Sequence, residues 1–256
     1  TQLIRQPVLF DMFIGIFKRF RVQSKEIAHL ALRGLEQMAS FLLTDKVLSS
    51  ATTLPRARAS YIEWLCNSLI QLLGILSEAA SHNSARTEEV FQASNIICRM
   101  ASNQHVKLLM FLPGWVQFLH TLGMFTDLCA TRAIAFGRKV VASRKGGESG
   151  AADDDDEDIS ADTFENSRQM ASFSSCLHAW SIFAKYAVYR TATDTAARSD
   201  HPDPWGPQMN ALKDALARVY TMYVRTRLTI CSIEMEAGIH ERPRQIPRPK
   251  VAADVN

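Results

Sequence analysis

The residues with the clearest potential for chemistry are six consecutive acids in the stretch GGESGAADDDDEDISAD, residues 146–162. The acids are Asp153, Asp154, Asp155, Asp156, Glu157 and Asp158. A calcium-binding loop spaces its ligands and bends at a glycine among them, whereas every glycine here precedes the acids. A general acid needs burial or a fixed neighbour to raise its pKa, and a linker of Gly, Ala and Ser provides neither. We therefore expect no metal site and no catalytic site in this run.

Two interpretations of the acidic run remain open. It is typical of a solvated insert between helices, and it would also serve as an electrostatic arm that contacts a basic surface. That surface could belong to a partner protein, to a cargo, or to this chain's own segment RPRQIPRPK near its end. The six acids are therefore retained as candidate partner-binding residues.

The residue types that bind metals or attack substrates are otherwise scattered along the chain. The histidines are His29, His82, His105, His120, His178, His201 and His240, and the cysteines are Cys66, Cys98, Cys129, Cys176 and Cys231. No HExxH motif and no Cys/His pair at ligand spacing occurs, and the motifs GxSxG, GxGxxG and GxxxxGK[ST] are absent. We therefore expect a protein that is not an enzyme and has no cofactor. His120 and His178 lie among apolar residues and are expected in the core or at a helix seam.

The charge of the chain is segregated. The total is 29 Lys and Arg against 26 Asp and Glu, but seven of those acids lie at Glu148 and in the acidic run, which leaves 19 acids for the remaining 249 residues. Such a basic body suits an acidic protein partner, a nucleic acid or an anionic surface. Arg218, Arg225 and Arg227, interspersed with Tyr220 and Tyr223, are the candidate residues for such a contact, including a nucleic-acid face.

Hydrophobic spacing at about 3.6 residues per turn predicts helices throughout. They cover residues 7–20, 24–43, 59–80, 85–101, 114–141, 164–190 and 209–237, with a short apolar piece at 105–112. Ser24 is the predicted N-cap of the second helix, Asp162 or Thr163 that of the sixth, and Gly238 the C-cap of the last. Aromatic residues at helical spacing are expected in the core; they are Trp64, Trp115, Phe118, Phe125, Trp180, Phe183 and Tyr186.

Successive helices joined by short turns, without strand signals, predict an all-α fold. The favoured architecture is an α-solenoid of antiparallel helical hairpins of the HEAT or armadillo kind, and a single helical bundle is the alternative. The chain divides into hairpin repeats at 1–143, an acidic insert at 144–162, a long helical pair at 163–238 and a basic, proline-rich tail at 239–256.

The stretch LFDMFIGIFKRFRVQSKEIAHLALRGLEQMASFLL, residues 9–43, resembles one irregular HEAT hairpin, with small residues Ala28 and Ala31 at its packing seam. Irregular hairpins, long helices and an acidic insert resemble the importin-β and exportin superfamily over about the first 190 residues. This resemblance implies cargo and small-GTPase binding on the concave face of a superhelix in nucleocytoplasmic transport. It offers no motif from which functional residues could be transferred.

The sequence therefore favours a non-catalytic protein-interaction segment of a larger helical-repeat scaffold. The chain begins with Thr1 and a helical pattern follows almost at once, so we expect part of a longer protein. The alternatives are a scaffold region of a membrane-trafficking regulator and a helical module that binds RNA or DNA. The scattered cysteines predict an intracellular protein of the cytoplasm or nucleus, and no apolar run is long enough to predict a transmembrane segment.

Overall fold

The computed structural model describes residues 5–39, 41–42, 55–81, 86–103, 105–106, 115–146, 167–196 and 206–236. Within these residues the protein is all-helical and contains seven α-helices. They are α1 (Arg5–Phe20), α2 (Lys25–Ala39), α3 (Pro55–Ser81), α4 (Thr87–Ala101), α5 (Trp115–Gly146), α6 (Arg168–Ala196) and α7 (Gly206–Glu236). The predicted all-α class is confirmed.

The helices pack in two rows. In the odd row α1 contacts α3, α3 contacts α5, and α5 contacts α7; in the even row α2 contacts α4 and α4 contacts α6. The rows are joined where α1 packs on α2, α3 on α4, and α5 on α6. Helix α6 also contacts α7. Each helix therefore packs mainly against its neighbour in sequence and against the helix two places along the chain.

The core lies between the two rows, and α5 contributes much of it. The rings of Phe118 on α5 and Phe183 on α6 meet edge to face with centroids 4.8 Å apart. Trp115 and Phe125 are also buried. Because aromatic side chains bury a large area each, these contacts account for a substantial part of the cohesion between the rows. Of the seven aromatic residues predicted in the core, Trp64 and Tyr186 are partly buried against it and the other five are fully buried.

Side-chain hydrogen bonds join α1 to α3. The Asp11 carboxylate accepts hydrogen bonds from the Trp64 indole N–H at 2.7 Å and from the Ser68 hydroxyl at 2.8 Å. Tyr61 on α3 donates to the carbonyl of Leu42 just after α2 at 2.9 Å. These bonds hold the first helical pair against α3.

The N-cap of α2 is the one predicted from the sequence, whereas the N-cap of α6 is a different residue. The Ser24 hydroxyl accepts a hydrogen bond from the backbone N–H of Ile27 at 3.3 Å, as an N-cap does. Helix α6 begins at Arg168, and its cap is Ser167, whose hydroxyl accepts from the N–H of Met170 at 3.2 Å. The sequence predicted Asp162 or Thr163 as the N-cap of this helix, whereas Ser167 is the N-cap in the structure. Asp162, Thr163 and Gly238 lie outside the described residues.

Two helices extend beyond their predicted ends. Helix α6 continues to Ala196, into residues predicted as loop, because no Gly or Pro interrupts the chain until Pro202. Helix α5 continues to Gly146. The segments 147–166 and 237–256, which contain the acidic run and the basic tail, lie outside the described residues, as does 107–112.

The first turn of α4 gathers contacts from both rows. Arg21, in the turn between α1 and α2, forms a buried ion pair with Glu89 at 3.0 Å, the two side chains being 9% and 5% exposed. The same Glu89 oxygen accepts the backbone N–H of Arg86 at 3.1 Å. Glu88 accepts from Arg168 at the start of α6. Acidic residues at a helix N-terminus also interact favourably with the helix dipole. Glu88 and Glu89 therefore stabilise α4 through the dipole as well as through their ion pairs.

Further polar contacts surround that turn. Arg132 on α5 donates to the Thr87 hydroxyl at 3.1 Å. Burial lowers the pKa of Arg132. The Nε2 atom of Gln92 lies 2.8 Å from the ring of His29 on α2. The N-terminal end of α4 is therefore the point where α2, α5 and α6 are held together by side-chain hydrogen bonds.

We predict that Glu89→Gln lowers the free energy of unfolding by about 3–5 kcal/mol, because it leaves the buried Arg21 charge without its counterion. Urea denaturation followed by circular dichroism measures this loss. Glu88→Gln is the matched control, since Glu88 is adjacent, also acidic, and pairs with half-exposed partners. Its loss should stay at or below about 1 kcal/mol. Equal losses in the two variants would contradict the role assigned to Glu89.

Helices α1 and α2 approach closely where Gly34 faces Phe13. A Cβ atom added at Gly34 would lie 2.8 Å from the Phe13 ring, so any larger residue must displace that ring. Ala28 and Ala31, predicted at the seam of this pair, are both buried. The hairpin therefore depends on small residues along one side of α2.

We predict that Gly34→Ala lowers the free energy of unfolding by about 1 kcal/mol, because displacing Phe13 costs more than the gain in helix propensity. Gly15→Ala in α1 is the control: nothing lies within 4 Å of the added Cβ. That control should raise stability by up to about 1 kcal/mol. Thermal and urea unfolding of both variants give the comparison, and stabilisation by Gly34→Ala would show that the helices do not meet there.

Candidate functional site

The candidate site is a groove between α5 and α7, which we call the α5/α7 groove. Its volume is about 820 Å³, and both of its walls are helical. Gly123 brings the helices together at one point, where an added Cβ would lie 3.5 Å from Val219. Elsewhere the groove is lined by small residues, among them Ala130 and Ala135 on α5 and Ala217 on α7. Small side chains on facing helices leave the space between them open.

Three arginines line this groove. Arg138 belongs to α5, and Arg218 and Arg225 belong to α7. Arg218 and Arg225 are seven residues apart, so two helical turns place them on the same side of α7. All three are exposed. Because guanidinium groups bind carboxylates through two parallel hydrogen bonds, this arrangement offers several anchoring points for an acidic ligand.

The remaining lining is largely apolar, with one acid. Met124, Ile134 and Met222 supply hydrophobic surface, and Met124 is more than half exposed. Asp127 and His120 are the other titratable groups that line it. Methionine side chains adapt to different apolar partners. The groove therefore combines an adaptable apolar surface with a net positive charge, and nothing in its lining resembles a nucleophile paired with a base.

The structure brings together two of the three arginines that the sequence singled out. Arg218 and Arg225 line the α5/α7 groove. Arg227 follows Arg218 by about two and a half helical turns, which places it on the opposite side of α7. The acids Asp153, Asp154, Asp155, Asp156, Glu157 and Asp158 lie outside the described residues. Tyr220 and Tyr223 are exposed but do not line the groove. A single nucleic-acid face made of all five side chains is therefore not formed.

Sequence reasoning did not identify Arg138 and Met124 as parts of a site. Both lie in the helix predicted at residues 114–141. The available signal was their shared spacing with Asp127 and Thr131, which places them on one side of α5. That spacing could not reveal that the side faces α7, since the pairing of α5 with α7 is a tertiary contact.

The histidines and cysteines form no site in the part of the chain that the structure describes. His120 and His178 are exposed, so neither lies in the core; His120 lines the α5/α7 groove, at the seam between two helices. Cys66, Cys129 and Cys176 are buried, Cys98 is partly buried, and Cys231 is exposed on α7. No group of three or more His, Cys, Asp or Glu side chains in the described helices could hold a metal ion.

Cys129 on α5 and Cys176 on α6 face each other in the core. Their sulfur atoms are 3.7 Å apart, and both thiols are free. Burial raises the pKa of Cys176 well above its ordinary value, and the hydrogen bond with Cys129 adds to the effect. Burial also raises the pKa of Cys66 to about 11. Protonated, buried thiols of this kind are poor nucleophiles.

None of the described helices is long and apolar enough to cross a membrane. Comparison of the chain with family models, with curated proteins and with solved structures yields no match.

We predict that iodoacetamide alkylates Cys231 in the folded protein much faster than Cys66, Cys129 or Cys176. Cys231 is exposed to the reagent, whereas the other three are buried, and burial also raises the pKa of Cys66 and of Cys176. Mass spectrometry of peptides from a native time course measures the order. In urea all cysteines should react at similar rates. Rapid native alkylation of Cys129 or Cys176 would contradict the packing of α5 on α6.

Proposed function

We propose that this chain is a non-catalytic protein-interaction scaffold, whose α5/α7 groove binds an acidic segment of a partner protein that also carries apolar anchors. The observation that carries the proposal is the groove itself, in which Arg138, Arg218 and Arg225 surround Met124 and Met222. Arginines would hold carboxylates at the rim, and the methionines would cover aliphatic or aromatic side chains. Apolar anchors surrounded by charge are typical of protein-recognition sites.

The scaffold part of the proposal is an α-solenoid of helical hairpins. It is supported by the packing order, since α1–α2, α3–α4 and α5–α6 are sequential pairs whose odd and even members contact the next pair in separate rows. In a single closed bundle the first and last helices would be expected to pack together. The more extensive helix contacts lie within a pair or between neighbouring pairs, which is typical of repeat proteins that use extended surfaces for binding.

A protein partner is favoured over RNA or DNA by the composition of the groove. A nucleic-acid channel places bases on aromatic rings and keeps acids away from the phosphates. Among the described residues, the lining of the α5/α7 groove includes Asp127 and no aromatic residue. In the sharper form of the proposal, which rests on the resemblance of residues 9–43, the partner is a cargo or small GTPase of nucleocytoplasmic transport.

The test is a fluorescence anisotropy titration with two probes. One is a labelled peptide in which Asp and Glu alternate with Leu and Phe, and the other is a labelled single-stranded oligonucleotide. We predict that the peptide binds, and that the double variant Arg218→Glu/Arg225→Glu weakens it by about tenfold or more, which corresponds to about 1.4 kcal/mol. The peptide's affinity should fall moderately with salt, because the apolar contacts persist.

Arg227→Glu is the matched control, since it places the same charge reversal on the same helix but away from the groove. It should change the affinity for the peptide by less than about twofold, or about 0.4 kcal/mol. Equal weakening by Arg227→Glu would show that only overall charge matters. Tighter binding of the oligonucleotide, with a steep salt dependence, would favour the nucleic-acid alternative and contradict the proposal.

A further inference from the structure

Two free thiols meet in the core between α5 and α6. The sulfur atoms of Cys129 and Cys176 are 3.7 Å apart, and both residues are 0% exposed. The rings of Phe118 and Phe183 meet farther along the same two helices, and the order of the two contacts shows that α5 and α6 are antiparallel. The two cysteines therefore lie where the facing sides of this antiparallel pair pack together.

Small neighbours accompany both cysteines. Ala133 follows Cys129 by about one turn of α5, and Ala179 follows Cys176 by about one turn of α6; all four residues are buried. Side chains three or four residues apart lie on the same side of a helix. Each cysteine therefore has a small side chain beside it on the packed side of its helix, which lets the two helices approach until the sulfur atoms meet.

We propose that Cys129 and Cys176 are a redox-sensitive pair, which a hydroperoxide converts into a disulfide bond that joins α5 to α6. The sulfur atoms of a disulfide are about 2.03–2.05 Å apart, so each sulfur must move by less than about 1 Å to form the bond. Rotation about the Cα–Cβ bond moves a cysteine sulfur without moving the backbone. The bond can therefore form while α5 and α6 remain packed.

The reaction balances with hydrogen peroxide as the oxidant. One thiolate attacks a peroxide oxygen, the O–O bond breaks, and the departing hydroxide takes up a proton to leave as water, so that a sulfenic acid remains. The second thiol attacks that sulfur; the S–S bond forms, the S–O bond breaks, and a second water leaves with the thiol proton. The two sulfur atoms together lose two electrons, and the peroxide gains them.

Burial makes this reaction slow. Burial raises the pKa of Cys176, so little thiolate is present while the core is closed. Hydrogen peroxide is small, and a brief local opening between α5 and α6 is sufficient to admit it. The same burial then shields the disulfide from thiol reductants, which must reach a sulfur atom to attack it. The pair is therefore expected to respond to sustained exposure to peroxide.

The disulfide would constrain a long stretch of the chain. The two cysteines are 47 residues apart in sequence. A cross-link across such a span reduces the conformational freedom of the unfolded chain and thereby favours the folded state. The bond would also attach α5, which forms one wall of the α5/α7 groove, to α6. Oxidation is therefore expected to make the packing of these helices more resistant to unfolding.

Peptide mapping without reduction tests the proposal in the Cys231→Ser background, in which the exposed thiol cannot link two molecules. After prolonged exposure of the folded chain to hydrogen peroxide, a peptide containing Cys129 should be joined to one containing Cys176. Its mass should be two hydrogens below the sum of the two reduced peptides. The melting temperature should rise by on the order of 5–10 °C, because the cross-link restricts the unfolded chain.

Three variants in the same background provide the controls. Cys129→Ala and Cys176→Ala each remove one member of the pair, and neither should show the joined peptides or the rise in melting temperature. Circular dichroism checks that each variant folds. Cys66→Ala is the matched control, since Cys66 is a buried thiol on α3 that is only 2% exposed. It should form the disulfide as the parent chain does.

Other outcomes contradict the proposal. After burial and Cys129, the neighbouring Cys98 on α4 also raises the pKa of Cys176, so Cys98 is the competing partner. A disulfide between Cys98 and Cys176 would overturn the assignment. Oxidation of Cys129 and Cys176 to sulfinic acids without a bond, or two thiols that stay free after overnight exposure, would show that the sulfur atoms do not form a reactive pair. A lower melting temperature of the bonded chain would show that the bond strains the packing.

Discussion

The buried ion pair between Arg21 and Glu89 is the contact on which the arrangement of the helices depends most. Arg21 lies in the turn between α1 and α2, and Glu89 in the first turn of α4, so the pair fixes the first helical pair against the next one. Removing two charges from water is costly, and the cost is met only when each charge keeps its partner and its hydrogen bonds. One Glu89 oxygen, Oε2, accepts from both the Arg21 guanidinium and the backbone N–H of Arg86. An alternative packing of α4 would separate these charges.

The same turn of α4 positions the later helices and, through them, the groove. Glu88 binds Arg168 at the start of α6, and Thr87 binds Arg132 on α5. With α5 and α6 held there, the apolar contacts of Phe118 and Phe183 form between them. The solvent side of α5 then remains open, with Arg138 and Met124 beside α7. The polar contacts at the first turn of α4 thus help to determine which side of α5 is exposed beside α7.

Periodicity alone was sufficient to predict the helices and the all-α class, because each helix buries one side and that side recurs at 3.6 residues. It was less successful in predicting which side. In α1, Phe10 and Ile14 are buried, whereas the equally apolar Leu9 and Met12 are exposed. Both sides of α1 are apolar, so the pattern could not distinguish the core from a surface that is left open. For the same reason, the pattern did not predict that Tyr220, Val224 and Leu228 on α7 are exposed.

The candidate site was only partly predictable. Arg218 and Arg225 stood out because basic residues recur on one helix, and a spacing of seven residues places them together. Arg227 stood out for the same reason, but the packing of α7 on α5 places it on the other side. The junction at Glu89 was not predictable, since Arg21 and Glu89 are 68 residues apart and neither belongs to a motif. Such contacts are set by tertiary packing.

The proposed packing of the helices in two open rows is the central claim, because the position of the α5/α7 groove depends on it. The most direct measurement is the distance between spin labels on native Cys231 in α7 and on Lys18→Cys in α1, taken by double electron–electron resonance in protein diluted with unlabelled chains. Both positions are exposed. Three helix spacings, α1 to α3, α3 to α5 and α5 to α7, separate the two labelled helices. At roughly 8–10 Å for each spacing, the account predicts a distance of at least about 24–30 Å. A single distance below about 20 Å, as in a bundle that closes α7 onto α1, would contradict it.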